Sequence, residues 1–168
     1  MDTDRLMKPG KPTFFLTVMD ESAFADLFLA VSRQFPGAVV RMIRGNKCRT
    51  LDDFFDEIGA ALQFPYYFGE NWPAFNEVIT DLDWIEGDEY LLMVADADQL
   101  LADDSPADFK TLLRILDEAN EAWLTPNAHI PRDRQPTPFH VLFQCRDEKA
   151  AAAFADRLTA AGAEFERV

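Results

Sequence analysis

The sequence predicts an α/β protein built on a largely parallel sheet, and two observations carry that prediction. Short apolar runs recur at 13–19, 39–43, 90–95 and 139–145, and stretches with one-face helical spacing separate them. The run from Tyr90 to Ala95 is apolar throughout, which suits a central strand buried on both faces. The chain has 168 residues, enough for a single domain over 1–168 with a sizeable core. At 48% hydrophobic residues and 15 Phe, its composition is globular rather than disordered.

The elements follow in order. A loose, proline-containing leader precedes the strand "TFFLTVM" (13–19). In "DESAFADLFLAVSRQF" (20–35), Phe24, Leu27, Phe28 and Val31 share one helical face. A turn then leads into a β-branched strand, Val39 to Ile43, which ends at Gly45 and Asn46. Thr50 caps the next helix, and Asp53 favours its positive end. Leu51, Phe54, Phe55, Ile58, Ala61 and Leu62 form the stripe of that helix, and Pro65 stops it. Asn71 caps a helix running to about Leu82, with Pro73 in its first turn, where a missing N–H is harmless. Ser105 and Pro106 open a helix over 105–124. The proline-rich stretch at 125–138 reads as a long loop. Strand 139–145, helix 147–162 and a closing edge strand, "AEFERV", complete the chain. The segments 14–43 and 139–168 echo each other as strand, helix, turn and strand, although any two βαβ units look this alike.

Charge and cysteine usage narrow the function classes. A net charge of −14 repels polyanions, so direct nucleic-acid and anionic-membrane binding are not expected, whereas a basic partner is attracted. Solubility alone would also explain the acidity. Cys48 and Cys145 stand at no metal or redox spacing. No secretory leader is legible, nor a run of the ~18 apolar residues a membrane helix needs, so a cytoplasmic location is expected. His129 and His140 are too few for a metal site or a nucleophilic relay, no cofactor motif occurs, and "RGNKC" reads only as a turn.

The stretch "FPYYFGENWPAFNEVITDLDWI" (64–85) stands out. Trp72, Phe75, Ile79 and Leu82 form a buried stripe. Gly69 suits a loop conformation that a side chain would strain. At ~100° per residue Glu77 lies about 200° around from Phe75, and so it points outward. Glu70, Pro73, Glu77 and Asp81 share that outward spacing, below the loop of Tyr66, Tyr67 and Phe68. Carboxylates four apart repel by a few tenths of a kcal/mol, roughly, so an ordinary solvated face competes with a binding surface as the explanation. Aromatics flanking the acids favour the surface.

The run from "VVRMIRG" through "RTLDDFFDEIGAALQFPYYFGENWPAFNEVITDL" to "YLLMVADADQL" resembles barstar, the small bacterial inhibitor of secreted ribonucleases of the barnase type. The resemblance covers roughly Ala38 to Ala122 and then Phe139 to Gln144. Its most specific part is Pro65-Tyr66-Tyr67-Phe68-Gly69-Glu70-Asn71. It implies a barstar-like parallel sheet packed with helices, extended here by N-terminal βα and C-terminal αβ elements. It also implies an immunity-type inhibitor rather than an enzyme, without cofactor. The implied partner is a basic ribonuclease or nuclease-type toxin, whose active site carboxylates on the acidic helix would block. By the resemblance Tyr67 stacks on the partner, Glu77 stands in for a substrate phosphate, and Glu118 reaches across from a later helix. Pro73, Asn76 and Glu77 depart from the family's contact residues, which puts the same ribonuclease target in doubt.

Two other readings stay open. One is a barstar-fold module binding another basic protein. The other is a carboxylate hydrolase using two of Glu70, Glu77 and Asp81, although paired catalytic carboxylates usually flank a cleft from different elements. The terminal segments, 1–35 and 146–168, read as sheet extensions or as cover for a sheet edge. Removing the last twenty or so residues is expected to leave a folded, aggregation-prone chain.

Overall fold

The computed structural model describes residues 3–125 and 135–168. A short helix α1 (Thr3–Leu6) precedes β1 (Phe14–Val18), α2 (Glu21–Gln34) and β2 (Val39–Arg44). Then come α3 (Leu51–Ala61), α4 (Trp72–Asp81), β3 (Tyr90–Ala95), α5 (Pro106–Leu124), β4 (Phe139–Cys145), α6 (Glu148–Ala160) and β5 (Phe165–Arg167). Single 3-10 turns occupy Gly45–Lys47 and Ala97–Gln99. The predicted loop at 125–138, with His129, lies mostly outside the described residues.

Five helices start by the same device. The side chains of Asp20, Thr50, Asn71, Ser105 and Asp147 accept the amide N–H three residues on, at 2.8–3.4 Å. Each satisfies an amide that the first helical turn leaves without a backbone partner. Pro73 and Pro106 sit in first turns, as expected.

All five strands run parallel, in the order β2-β3-β4-β1-β5. Strand alternation divides the core into two layers. Phe14, Leu16, Leu92, Val94, Val141 and Phe143 face α3 to α6 and join the main cluster. Phe15, Val40, Leu91, Met93 and Leu142 face α1 and α2 with Phe24 and Val31. The sheet is therefore covered on both faces, as parallel sheets require.

The structure bears on three of these readings. The strand Tyr90–Ala95, β3, lies inside the sheet and is buried on both faces as expected, while the middle strand of the five is β4, buried at all seven positions. The leader is not loose, because Leu6 and Met7 are buried and His140 of β4 holds the carbonyls of Leu6 and Gly10 at 2.9 and 3.1 Å. The internal echo is not a structural repeat. Between β1 and β2 lie two strands and between β4 and β5 only β1, and the connecting helices α2 and α6 cover opposite faces.

Candidate functional site

The loop between α3 and α4 is built from aromatic packing. Phe64 and Phe68 meet edge to face at 4.9 Å between ring centroids. Phe68 reaches Phe55 of α3 at 5.6 Å, and Phe64 reaches Trp84 at 6.0 Å. The Phe68 N–H donates to the Pro65 carbonyl at 2.9 Å and closes a tight turn. With Phe64 and Phe68 drawn inward, the turn throws its two central residues out. Tyr66 is 100% exposed and Tyr67 71%. Their rings touch each other edge to face at 5.7 Å. Phe68, expected beside them on the binding surface, is instead the anchor of the loop. Gly69 has no positive φ, whereas its neighbour Glu70 does, at 49°. What confines Gly69 is Asn71, whose side-chain amide donates to the Gly69 carbonyl at 2.9 Å and would lie 3.0 Å from an added Cβ.

Helix α4 buries Phe75, Val78 and Ile79 and turns Pro73, Asn76, Glu77 and Asp81 to solvent. It lies alongside α5 and runs the same way. The Trp72 indole N–H donates to Asp108 at 3.4 Å near the start of both helices, and that of Trp123 to the Ile79 carbonyl at 3.1 Å near the end of both. Glu118 is exposed on α5, and Arg114 donates to both its carboxylate oxygens at 2.8 Å. Beyond the last turn of α4, Asp81, Asp83, Glu86 and Asp88 line a cleft of about 500 Å³ beside Tyr90 and Trp123. Next to it, burial lifts the Glu89 carboxyl above the usual carboxylate range, and the Asp88 charge adds to the effect. The loop and α4 thus present two exposed tyrosines and outward acids, and an acidic cleft follows the last turn of α4.

A second polar cluster was not anticipated. Asp96, only 5% exposed, follows β3 in the left-handed region at φ 47°. Arg146, just past β4, grips its carboxylate at 2.5 and 2.8 Å and lies 3.5 Å from Glu21. Asn46 donates to the same carboxylate at 2.9 Å, while Gln144 accepts the Asp96 N–H and donates to the Met19 carbonyl. Neighbouring strands β1 and β4 leave here in opposite directions, β1 toward β2 and β4 toward β5. Open α/β sheets bind ligands at such a switch point. In this chain the protein's own ion pair occupies it, and "MDES" stands after β1 in place of a glycine-rich phosphate loop. The signal available in sequence was thin: one acid ending an apolar strand, and one arginine ending another.

Among the described residues no group of three or more His, Cys, Asp or Glu could hold a metal ion. No described helix is long and apolar enough to cross a membrane. Glu70, Glu77 and Asp81 are all exposed, and Glu77 and Asp81 extend from a single helix.

Fold and surface together define an all-parallel α/β protein whose most exposed aromatics sit above an acidic helix. The chain belongs to the barstar family: the model of that family, described as barstar (barnase inhibitor), matches residues 38–144. In general terms the family implies a ribonuclease partner. A comparison with curated proteins finds no match. Solved structures resemble nearly the whole chain. The ORC2 protein of Aeropyrum pernix in its ADP form has a TM-score of 0.62 at 13% identity, over 95% of this chain and 43% of that one. Cdc6p of Pyrobaculum aerophilum has a TM-score of 0.58 at 16% identity, over 98% of this chain and 41% of that one. The chain thus spans about two-fifths of the length of these solved proteins, and identities this low establish likeness of fold alone. These neighbours overturn the expectation of a ribonuclease inhibitor. The whole-chain architecture is one that Cdc6 and ORC proteins carry, so it does not mark an inhibitor, and the family match alone does not supply that activity.

Proposed function

We propose that the chain is a protein-binding module, acting by association and not by catalysis, that receives a basic protein surface on the Tyr66–Tyr67 loop and the outward face of α4. The observation that carries this reading is the tyrosine pair. Two large aromatics at 100% and 71% exposure, held on a turn by half-buried phenylalanines, contribute almost nothing to the fold. They are pre-organised contact area of the kind that anchors interfaces. Around them the outward Glu70, Glu77 and Asp81 and the net charge of −14 favour a cationic partner and speed its encounter. The family's general partner, a ribonuclease, belongs to that chemical class; blocking its catalysis forms no part of the reading. Cys48 and Cys145 are free, buried thiols, which supports the cytoplasm as the place of action.

Capture from lysate on the full chain tests this when run in parallel with Tyr67→Ala and Glu77→Gln variants. The expected result is a basic protein held by the unaltered chain, released by added salt and weakened roughly a hundredfold by Tyr67→Ala. Retention that neither substitution diminishes, or a partner mapped to a different face, would sink the proposal.

A further inference from the structure

A cavity of about 560 Å³ lies between the start of α5 and the end of α6, far along the chain from the tyrosine loop. That volume falls within the roughly 300–1,000 Å³ of small-molecule sites. Its walls are mainly apolar and small: Leu101, Pro106, Ala107, Phe109, Ala160 and Ala161. The C-terminal extension supplies one wall, so the cavity depends on α6.

Two cations line it: Lys110 of α5, exposed to solvent, and Arg157 of α6, which the protein holds in place. Arg157 of α6 lines the cavity with its guanidinium 4.2 Å over the Phe109 ring. It donates to the backbone carbonyls of Asp98 at 3.0 Å and Leu100 at 2.9 Å. These bonds fix the head group and use two of the five N–H groups an arginine has. No carboxylate among the described residues forms an ion pair with it; Asp98 meets it through its carbonyl. The other acid at the rim, Asp104, accepts the Leu51 N–H. Burial draws the Arg157 guanidinium below the ordinary arginine value, and the nearby Asp98 charge offsets only part of that. The N-terminal end of α5, at Pro106 and Ala107, adds a positive dipole to the same cavity.

We propose that this cavity is a binding site for a small apolar carboxylate, whose acid group pairs with Arg157 and whose hydrocarbon body lies against Phe109, Ala107 and Ala160. A planar guanidinium fixed by two carbonyls is preorganised for carboxylate recognition, and the small side chains leave room for the body. The acid group rather than the apolar body selects the ligand, because an amine of equal length would leave Arg157 unpaired and bring two cations together.

The experiment is an amide NMR titration of the full chain with octanoate, with octylammonium and acetate as controls. Octanoate is expected to shift the amides of Ala107, Phe109, Ala160 and Ala161 saturably, and the two controls are not. Arg157→Met is expected to weaken octanoate at least about tenfold. Since that change also removes the two carbonyl contacts, Ala160→Leu serves as a second variant. It stands on an exposed helical position, leaves the cation in place and fills the cavity, so it should abolish the shifts in a folded chain. Octylammonium binding as well as octanoate, shifts centred on another region, no shift at all, or an Ala160→Leu chain that still binds would each overturn the proposal.

Discussion

Phe68 and Tyr67 are sequence neighbours with opposite tasks, and exchanging each for alanine separates them. Complete removal of a buried phenylalanine side chain costs about 3–5 kcal/mol. Phe68 is half-buried, in edge-to-face contact with Phe64 and Phe55, so about half of that, ~2 kcal/mol, is expected for Phe68→Ala. In a chain of 168 residues this lowers the melting temperature by roughly 4–8 °C. Tyr67, at 71% exposure, sets its ring edge to face against the fully exposed Tyr66, so Tyr67→Ala should stay within about 0.5 kcal/mol. Urea unfolding followed by tryptophan fluorescence reads both, since Trp72 and Trp84 border the same cluster. Equal losses from the two variants, or a loss above ~1 kcal/mol from Tyr67→Ala, would refute the claim that the turn buries one residue to display its neighbour.

Further outcomes follow from the same packing. Arg146→Met leaves the buried Asp96 carboxylate with the side-chain amide of Asn46 and no cation, so a lowered melting temperature is expected in thermal melts, and Arg146→Lys should restore part of it. Burial lowers the His140 pKa even though two backbone carbonyls favour its charged form. The unfolded chain therefore protonates first, so this contribution to stability is complete above about pH 6.5 and declines as pH falls toward the lower folded value; His140→Gln should flatten the stability profile between pH 7.5 and 5.5. Burial pushes the Cys48 and Cys145 thiols up to about 12, so Ellman's reagent at pH 8 should label neither in the native chain and both in urea. Deleting residues 146–168 should abolish folding, contrary to the expectation from sequence, because Ala151, Phe154 and Leu158 belong to the main core. Deleting only 163–168 removes β5, and size-exclusion chromatography should then show a folded chain associating through the open edge of β1.

Local features were legible in the sequence because their causes are local. Thr50, Asn71 and Ser105 cap helices because a short side-chain acceptor and the amide three residues on are neighbours in any such chain. Glu77 could be placed outward from its angle to Phe75 alone. Strand order was not legible, because it depends on contacts between distant segments. His140 and Gln144 interrupt the apolar run of β4, and their burial is explained only by partners at Leu6, Gly10, Met19 and Asp96. For the same reason the leader looked loose: a four-residue helix carries no period, and His140 lies far from it in sequence. Phe68 was misassigned because an aromatic run does not reveal which rings a turn sends inward.

The two comparisons describe different portions of one sheet, and the topology explains why. Residues 38–144 contain β2, β3 and β4, three neighbouring strands, with α3, α4 and α5 on one face. In that unit alone β4 would be an edge strand, its free side open to solvent or to another chain. Here β4 is buried at every position and pairs with β1 along Val141–Cys145, and β1 in turn pairs with β5. Helices α1 and α2 cover the second face, where Phe15, Leu91, Met93 and Leu142 would otherwise be wet. The terminal segments are therefore structural necessities of this chain. They convert a three-stranded unit covered on one face into a five-stranded sheet covered on both, and likeness to larger α/β proteins follows from that conversion. The tyrosine loop and α4 lie wholly within the family segment, whereas the Arg157 cavity exists only because α6 was added. The proposed protein-binding face thus rests on the family segment alone, and the proposed carboxylate site on the junction of that segment with the C-terminal extension.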